Sequence, residues 1–332
     1  MYIRLLKHIY FRLPTAVKLL ITIFLLMSFF GLLIHLTEPA QFPSIFDGIW
    51  WAFVTGATVG YGDYVPLTPT GRIVGILLIL SGGGLLAFYI TSLSAATVKR
   101  EQDLEYGRLP FRGSNHYIFI GWNERTRQLI DIVAQKYPSM RMVLIDRTLR
   151  HISFTDFPVH FIHGDATEDS VLAKANIAYA ARVLISADIA KNERQADNYT
   201  ILATIAARGN NKDIPIIAEI LSRIQIENAL RAGASTIIRS NDFMSGLFFH
   251  ELSHSKSATP FEDVIQILVQ QQFSHITLPV ECENKTYQTA LNHLLAKGRL
   301  LIGIIRENEH YIHPKANFLL LKGDILISLT KW

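Results

Sequence analysis

The sequence predicts an α-helical membrane module of two spanning helices with a re-entrant helix between them, fused to an α/β doubly wound domain and a small α+β C-lobe. Three observations predict it. Two long apolar runs lie near the start: Ala16–Leu36, charged only at Lys18 and closed by His35, and Thr70–Val98, uncharged after Arg72. After Lys99 the composition becomes that of an ordinary globular protein. From His116 onward, short apolar runs alternate with segments of helical composition, which implies parallel strands joined by right-handed crossovers.

Each apolar run, at 16–36 and 70–98, is long enough to cross ~30 Å of hydrocarbon as a helix. The segment between them is broken by Pro39, Pro43, Gly48 and Gly56, yet it is apolar in its middle, from Ser44 to Thr55, and the re-entrant helix is placed at about 44–57. Non-helical backbone at membrane depth must be shielded by protein, so this segment reads as a short helix that dips in and returns. Ser44 is its expected N-cap, with Asp47 in the first turn favouring the positive helix end.

Arg4, Lys7, Arg12 and Lys18 precede or open the first span, and Lys99, Arg100, Arg108 and Arg112 follow the second. The connection carries Glu38, Asp47 and Asp63 against Arg72 alone. This asymmetry predicts a multi-pass protein of the cell membrane, surrounded by lipid, with both termini cytoplasmic. No small-residue cleavage site follows the first span, so it is not expected to be a signal peptide. The net charge of +4 owes much to these flanking groups and does not argue for nucleic acid binding. A single cysteine, Cys282, excludes an internal disulfide and suits a reducing compartment.

Residues 99–114, with Gly107, Pro110 and Gly113, read as a linker. Strands are expected at 116–121, 141–146, 159–164, 182–186, 214–219 and 236–238, with helices at 124–136, around 168–175, 195–208 and 224–232, and from 242 to about 255. The doubly wound domain is placed at 115–245, a crossover helix region at 246–263 and the C-lobe at 264–332. In the C-lobe, strands at 300–306 and 324–329 surround a helix at 286–295.

Between the spans runs Ala57-Thr58-Val59-Gly60-Tyr61-Gly62-Asp63. Carbonyls from Thr58 to Tyr61 can face one way only if the glycines take conformations that a side chain forbids. The loop resembles the TVGYG filter of potassium channels, in which rings of such oxygens replace the water shell of K+. Together with Trp50-Trp51, Gly82-Gly83-Gly84, Gly121-Trp122-Asn123-Glu124 and Gly164-Asp165-Ala166-Thr167, the whole chain resembles prokaryotic two-transmembrane-helix potassium channels with a C-terminal RCK (regulator of potassium conductance) domain.

The resemblance implies a non-enzymatic, potassium-selective homotetramer opened by a cytosolic gating ring. It implies a filter at Thr58, Val59, Gly60, Tyr61, Gly62 and Asp63, and an aromatic cuff of Trp50 and Trp51 around Tyr61. Taken alone, the two tryptophans also suit an interfacial belt or the core. Gly82, Gly83 and Gly84 suit close helix packing or a hinge that opens the cytoplasmic mouth, the hinge reading resting most on Gly83. A full ring needs eight RCK domains, whereas four copies of this chain supply four. No methionine lies between Met27 and Met140, so an internal methionine start cannot supply a complete soluble domain.

The regulatory ligand stays open between a nucleotide, a divalent cation and cyclic di-AMP. The stretch from Gly121 keeps one glycine of the dinucleotide pattern G-x-G-x-x-G, with Asn123 and Thr126 replacing the others. Asp146 ends the second strand where a ribose hydroxyl is read, or caps the next element. Arg125 offers a modified phosphate contact, and Asp165 and Thr167 match the G-D-x-T signature of RCK domains. At the calcium positions of related channels stand Ser186, Glu219 and Leu221, too few carboxylates for a cation that takes six to eight oxygens. In the C-lobe, Leu301–Arg306 with His313-Pro314 resembles a cyclic di-AMP segment, Arg306 being its phosphate candidate.

His250-Glu251-Leu252-Ser253-His254 fits H-E-x-x-H, but no third ligand is evident and the helix is expected to pair subunits through Phe243, Leu247, Phe248 and Leu252. His160 and His163 fall on opposite faces of a strand and are not a metal pair. Two other classes remain: a membrane-tethered nucleotide-binding oxidoreductase, and a non-conducting RCK sensor or scaffold.

Overall fold

The structure, a computed structural model, describes residues 13–153, 157–253 and 260–331. It divides into two units, Met1–Ser240 and Asn241–Trp332.

In the first unit, α1 (Thr15–Thr37) and α2 (Ile45–Gly56) cross backbone against backbone. A Cβ on Gly48 would stand 2.2 Å from the Gly31 carbonyl oxygen, so both positions exclude a side chain. The capping box starts α2: Asp47 N–H donates to Ser44 Oγ at 3.1 Å and Ser44 N–H to Asp47 Oδ2 at 3.0 Å. The second span is one rod, Pro69–Glu105, made of α3 (Pro69–Leu78), a π-helical turn (Ile79–Gly83) and α4 (Gly84–Glu105). Its N-terminus is capped twice. Thr68 Oγ1 accepts from Gly71 N–H at 3.0 Å, and the buried Glu38 carboxylate accepts from the Leu67 and Thr68 N–H groups. Met27, Ile34, Phe42, Trp51 and Leu78 fill the core between these helices.

The rod runs seven residues past the expected end of the span, so the segment read as linker is helical as far as Glu105. Lys99, Arg100, Glu101, Gln102, Leu104 and Glu105 are all good helix formers, so the helix continues past the apolar run. A Schellman motif stops it: Gly107, at φ +65, donates to the Leu104 carbonyl, and Arg108 N–H donates to the Asp103 carbonyl. The rod's end then docks on the next domain. Ile152 N–H donates to the Glu105 carbonyl and His163 N–H to the Gly107 carbonyl, each at 3.0 Å.

That domain is a parallel sheet of β1 (Tyr117–Ile120), β2 (Met142–Asp146), β3 (His160–His163), β4 (Arg182–Ile185), β5 (Ile216–Glu219) and β6 (Thr236–Ile238). Its order is β3-β2-β1-β4-β5-β6, the doubly wound arrangement expected. Alternate strand residues serve two cores. Ile118, Ile120, Val143 and Ile145 pack with α6 (Asp169–Lys174) and α7 (Glu193–Asn210) on one face. Phe119, Leu144 and Phe161 pack with α5 (Glu124–Lys136) on the other. The short α8 (Ile226–Arg231) precedes β6.

The second unit holds α9 (Ser240–Ser253, starting at the boundary), α10 (Pro260–Gln270), β7 (Gln271–Thr277), α11 (Tyr287–Leu295), β8 (Leu300–Arg306), β9 (Glu309–Ile312) and β10 (Ile325–Lys331). Its antiparallel sheet has the order β7-β10-β8-β9 and a core of Cys282, Tyr287, Leu294, Ile304 and Leu326. Neither β7 nor β9 was expected from the sequence. The β8–β9 loop, Glu307-Asn308, takes positive φ at both residues (52° and 68°), a two-residue hairpin turn without the usual glycine.

Candidate functional site

The loop after α2 holds three positive φ values at every second residue: Thr58 at 60°, Gly60 at 60° and Gly62 at 78°. Neither glycine has a neighbour within 4 Å of a built Cβ, so conformation alone requires them. The loop is anchored at its base by Val59 and Gly60 N–H donating to the Val54 carbonyl, at 3.0 and 3.2 Å. Trp50 and Trp51 divide the support. Trp50 stacks on Tyr61 with centroids 6.1 Å apart and donates Nε1–H to Asp63 Oδ2 at 2.8 Å. Trp51 is buried edge-on to Phe42 at 5.4 Å. Phe42 stacks on Tyr64, whose hydroxyl donates to Asp47 Oδ1 at 3.0 Å, so the capping box and the loop share one network.

The three glycines of the second span differ. A Cβ on Gly82 would meet Met27 Cε at 2.8 Å, whereas Gly83 and Gly84 have open space around them. Gly82 and Gly83 belong to the π turn, and Gly84 begins the helix after it.

In the doubly wound domain a cavity of about 460 Å³ opens where the strand order reverses, between β1 and β4. Gly121, at φ +95, makes the tight turn, and a Cβ there would press on the Ser186 carbonyl at 3.0 Å. Asn123 caps α5 by accepting from Thr126 N–H at 3.0 Å, and its amide donates to Ser186 Oγ. Asp146 accepts from Trp122 N–H at 2.8 Å and from Thr148 and Leu149 N–H at 2.7 Å, fixing both loops of the rim. Arg147, Lys191 and Tyr199 line the same cavity, and the sequence reading did not single them out. The Arg147 guanidinium lies over the Tyr199 ring, 4.3 Å from its centroid, and donates to Asp165 at 3.1 Å. Lys191 approaches the same ring at 6.0 Å. Asp165 also accepts from Thr167 N–H and Oγ1–H. Burial raises its pKa, but these bonds and Arg147 outweigh burial and hold the carboxyl below its ordinary value. Burial pushes Tyr199 up to about 12, so its phenol stays protonated at neutral pH.

Gly121, Asn123 and Asp146 therefore line the cavity, while Asp165 and Thr167 stand behind Arg147. Arg125 and Glu219 are elsewhere. They pair with each other at 3.0 Å beside a smaller cavity, and Glu219 also accepts from Ala187 N–H at 2.8 Å. Arg306, in the C-lobe, donates twice to the buried Asp324, at 2.8 and 2.7 Å, and to the Leu319 carbonyl at 2.9 Å. Among the described residues, no group of three or more His, Cys, Asp or Glu is arranged to hold a metal ion. Of the H-E-x-x-H pattern, His250 and Glu251 lie on α9, and His254 lies outside the described residues.

Residues 19–99 match the family described as ion channel, and residues 117–240 the TrkA-N domain family. The putative potassium channel protein YugO of Bacillus subtilis is 36% identical over 318 residues, covering 96% of this chain and 97% of that one. This chain belongs to the family of RCK-domain potassium channels. The calcium-gated potassium channel TvoK of Thermoplasma volcanium is 28% identical, covering 88% of this channel and 84% of that one. Among solved structures, the GsuK channel bound to NAD matches with a TM-score of 0.52 at 18% identity, a likeness of fold. It covers 94% of this channel, which spans 56% of the length of GsuK.

Proposed function

We propose that this potassium channel conducts as a homotetramer, with both termini cytoplasmic, and that a nucleotide held in the 460 Å³ cavity sets its opening. The observation that carries the ligand is the rim at the strand reversal, where Gly121 lets a phosphate approach and where Arg147 and Lys191, bridged to Asp165 at 3.1 Å and to Asp188 at 3.8 Å, flank Tyr199 on the exposed side of the cavity. Asp146 keeps its carboxylate at the end of β2, where a ribose hydroxyl would meet it. The neighbour of similar fold, GsuK, carries NAD. With Arg125 and Glu219 paired, a calcium site would first have to break an ion pair, which favours the nucleotide over the cation.

The tetramer rests on the loop Thr58–Gly62. One strand of carbonyls cannot surround an ion, and Val59 and Tyr61 stand 54% and 69% exposed on the single chain. Four copies about an axis would cover those side chains and close the oxygen rings. To take the pore from mostly closed to mostly open, the ligand must favour one arrangement by ~5 kcal/mol in total, little over 1 per subunit.

The test is potassium flux from liposomes as ADP and NAD are titrated, with the wild type and Arg147→Gln compared. Nucleotide-dependent flux that the variant loses supports the reading. Flux indifferent to nucleotide removes the ligand, and correctly assembled protein without flux favours a sensor or scaffold. Turnover of the nicotinamide would mark an oxidoreductase.

A further inference from the structure

A second cavity, of about 450 Å³, lies where the second span ends, lined by Tyr106, Gly107, Arg108, Arg150, His163 and Lys174. Three of these six are permanent cations and none is a carboxylate. Arg108 is partly neutralised by Asp103 at 3.0 Å and lies over the Tyr106 ring at 5.1 Å. Arg150 and Lys174, both exposed at the cavity wall, have no carboxylate partner among the described residues. Like charges gathered around a concave surface repel one another and focus a positive potential into it, and an anion relieves both.

The cavity is also preformed, because its walls are tied together. The Ile152 amide holds the loop bearing Arg150 to the Glu105 carbonyl, and the His163 amide holds β3 to the Gly107 carbonyl. His163 Nδ1 donates to the Leu149 carbonyl at 2.9 Å, fixing the imidazole against the same loop. Lys174 closes α6, and its carbonyl accepts from Phe111 N–H at 2.8 Å.

We propose that this cavity binds a ligand bearing a di- or polyphosphate group, and that its occupation stiffens the joint between the second span and the doubly wound domain. Its walls belong to three pieces: the helix end (Tyr106–Arg108), the β2–β3 loop with β3 (Arg150, His163), and α6 (Lys174). An anion bridging them resists any motion that separates the span from the sheet. The site is distinct from the cavity at the strand reversal, so it provides a second input to the same pore. Val98 is the last apolar residue of the span, and the helix continues at about 1.5 Å per residue to Glu105, which carries the cavity about 10 Å past the apolar run. At that distance the phosphates come either from a soluble metabolite or from an extended lipid headgroup.

The experiment measures potassium flux through the full-length channel in liposomes of neutral lipid. Inorganic pyrophosphate is titrated on the cytoplasmic side in one arm. In the other, phosphatidylinositol 4,5-bisphosphate is added to the bilayer. Arg150→Gln with Lys174→Gln should weaken the response to the effective probe by about tenfold or more for each lost cation. Lys191→Gln, in the other cavity, should leave that response in place. A response confined to the pyrophosphate arm assigns a soluble ligand, and one confined to the lipid arm assigns a headgroup. The proposal is overturned if neither probe alters flux, or if the double variant responds as the wild type does. A variant that fails to fold is recognised by size-exclusion chromatography. In that case protection of residues 104–108 from hydrogen exchange in the wild type, with and without whichever of the two probes altered flux, decides: added protection supports the site and none overturns it.

Discussion

At Thr58 the chain holds a β-branched residue at φ 60, where the clash of Cβ with the following carbonyl costs roughly 1–2 kcal/mol. Gly60 and Gly62 take the same kind of backbone without that clash. Replacing Gly62 with alanine adds a similar cost and strains the backbone of the loop. Gly62→Ala should therefore lose preference for potassium over sodium, read as the ratio of the two fluxes; an unchanged ratio would dissociate this loop from selectivity. Asp324 gives a second prediction at this scale. Its carboxylate is buried and bound twice by Arg306, and removing its charge leaves the partly buried guanidinium without its ion pair. Asp324→Asn should speed hydrogen exchange in β8 and β10, leaving the doubly wound domain as protected as before.

Among the elements, the second span offers a separable pair of substitutions. Gly82 packs on Met27, so Gly82→Ala should disturb helix packing and lower the yield of folded channel. Gly83 has no neighbour to disturb, and alanine there adds ~1 kcal/mol of helix propensity at the π turn. Gly83→Ala should fold normally and open less often, which single-channel recording measures; equal open probability would remove the hinge. His116, just before β1, sets a pH dependence. Burial lowers its pKa from an ordinary value near 6.5, Arg141 and His160 act the same way, and the Ala175 carbonyl only partly opposes them. The unfolded chain thus binds the proton more readily than the folded one. Stability from this site is complete above about pH 6.5 and falls as the pH drops below it. The thermal midpoint should decline from about pH 7 to about pH 5.5, and His116→Gln should flatten that decline.

For the molecule as a whole, the docking of the rod's end on β3 makes the joint between span and soluble domain short and hydrogen-bonded. The expected linker is thereby reduced to the residues beyond the helix end. Cross-linking of the purified channel in detergent should give a ladder ending at four chains, and a ladder ending at two would remove the proposed ring of filter strands.

Much of this was legible in the chain because it is local. The two spans, the Ser44–Asp47 cap, the alternating loop and the βα alternation each arise from residues close in sequence, through hydrophobic length, backbone sterics or periodicity. The β9 hairpin escaped because Glu307-Asn308 lacks the glycine that usually marks such a turn, and the helical end of the rod escaped because charge reads equally as helix or linker. Side chains brought together from distant segments could not be read. Arg147, Lys191 and Tyr199 meet in one cavity, Arg125 is taken up by Glu219, and Arg306 by Asp324. Short-range chemistry thus determined the two long apolar helices, the glycine-permitted backbone of the loop between them and the doubly wound domain that follows. Which of its charged groups line a cavity and which carboxylate each of them pairs with was decided only when the strands came together, because pairing of charges is fixed by distance in space.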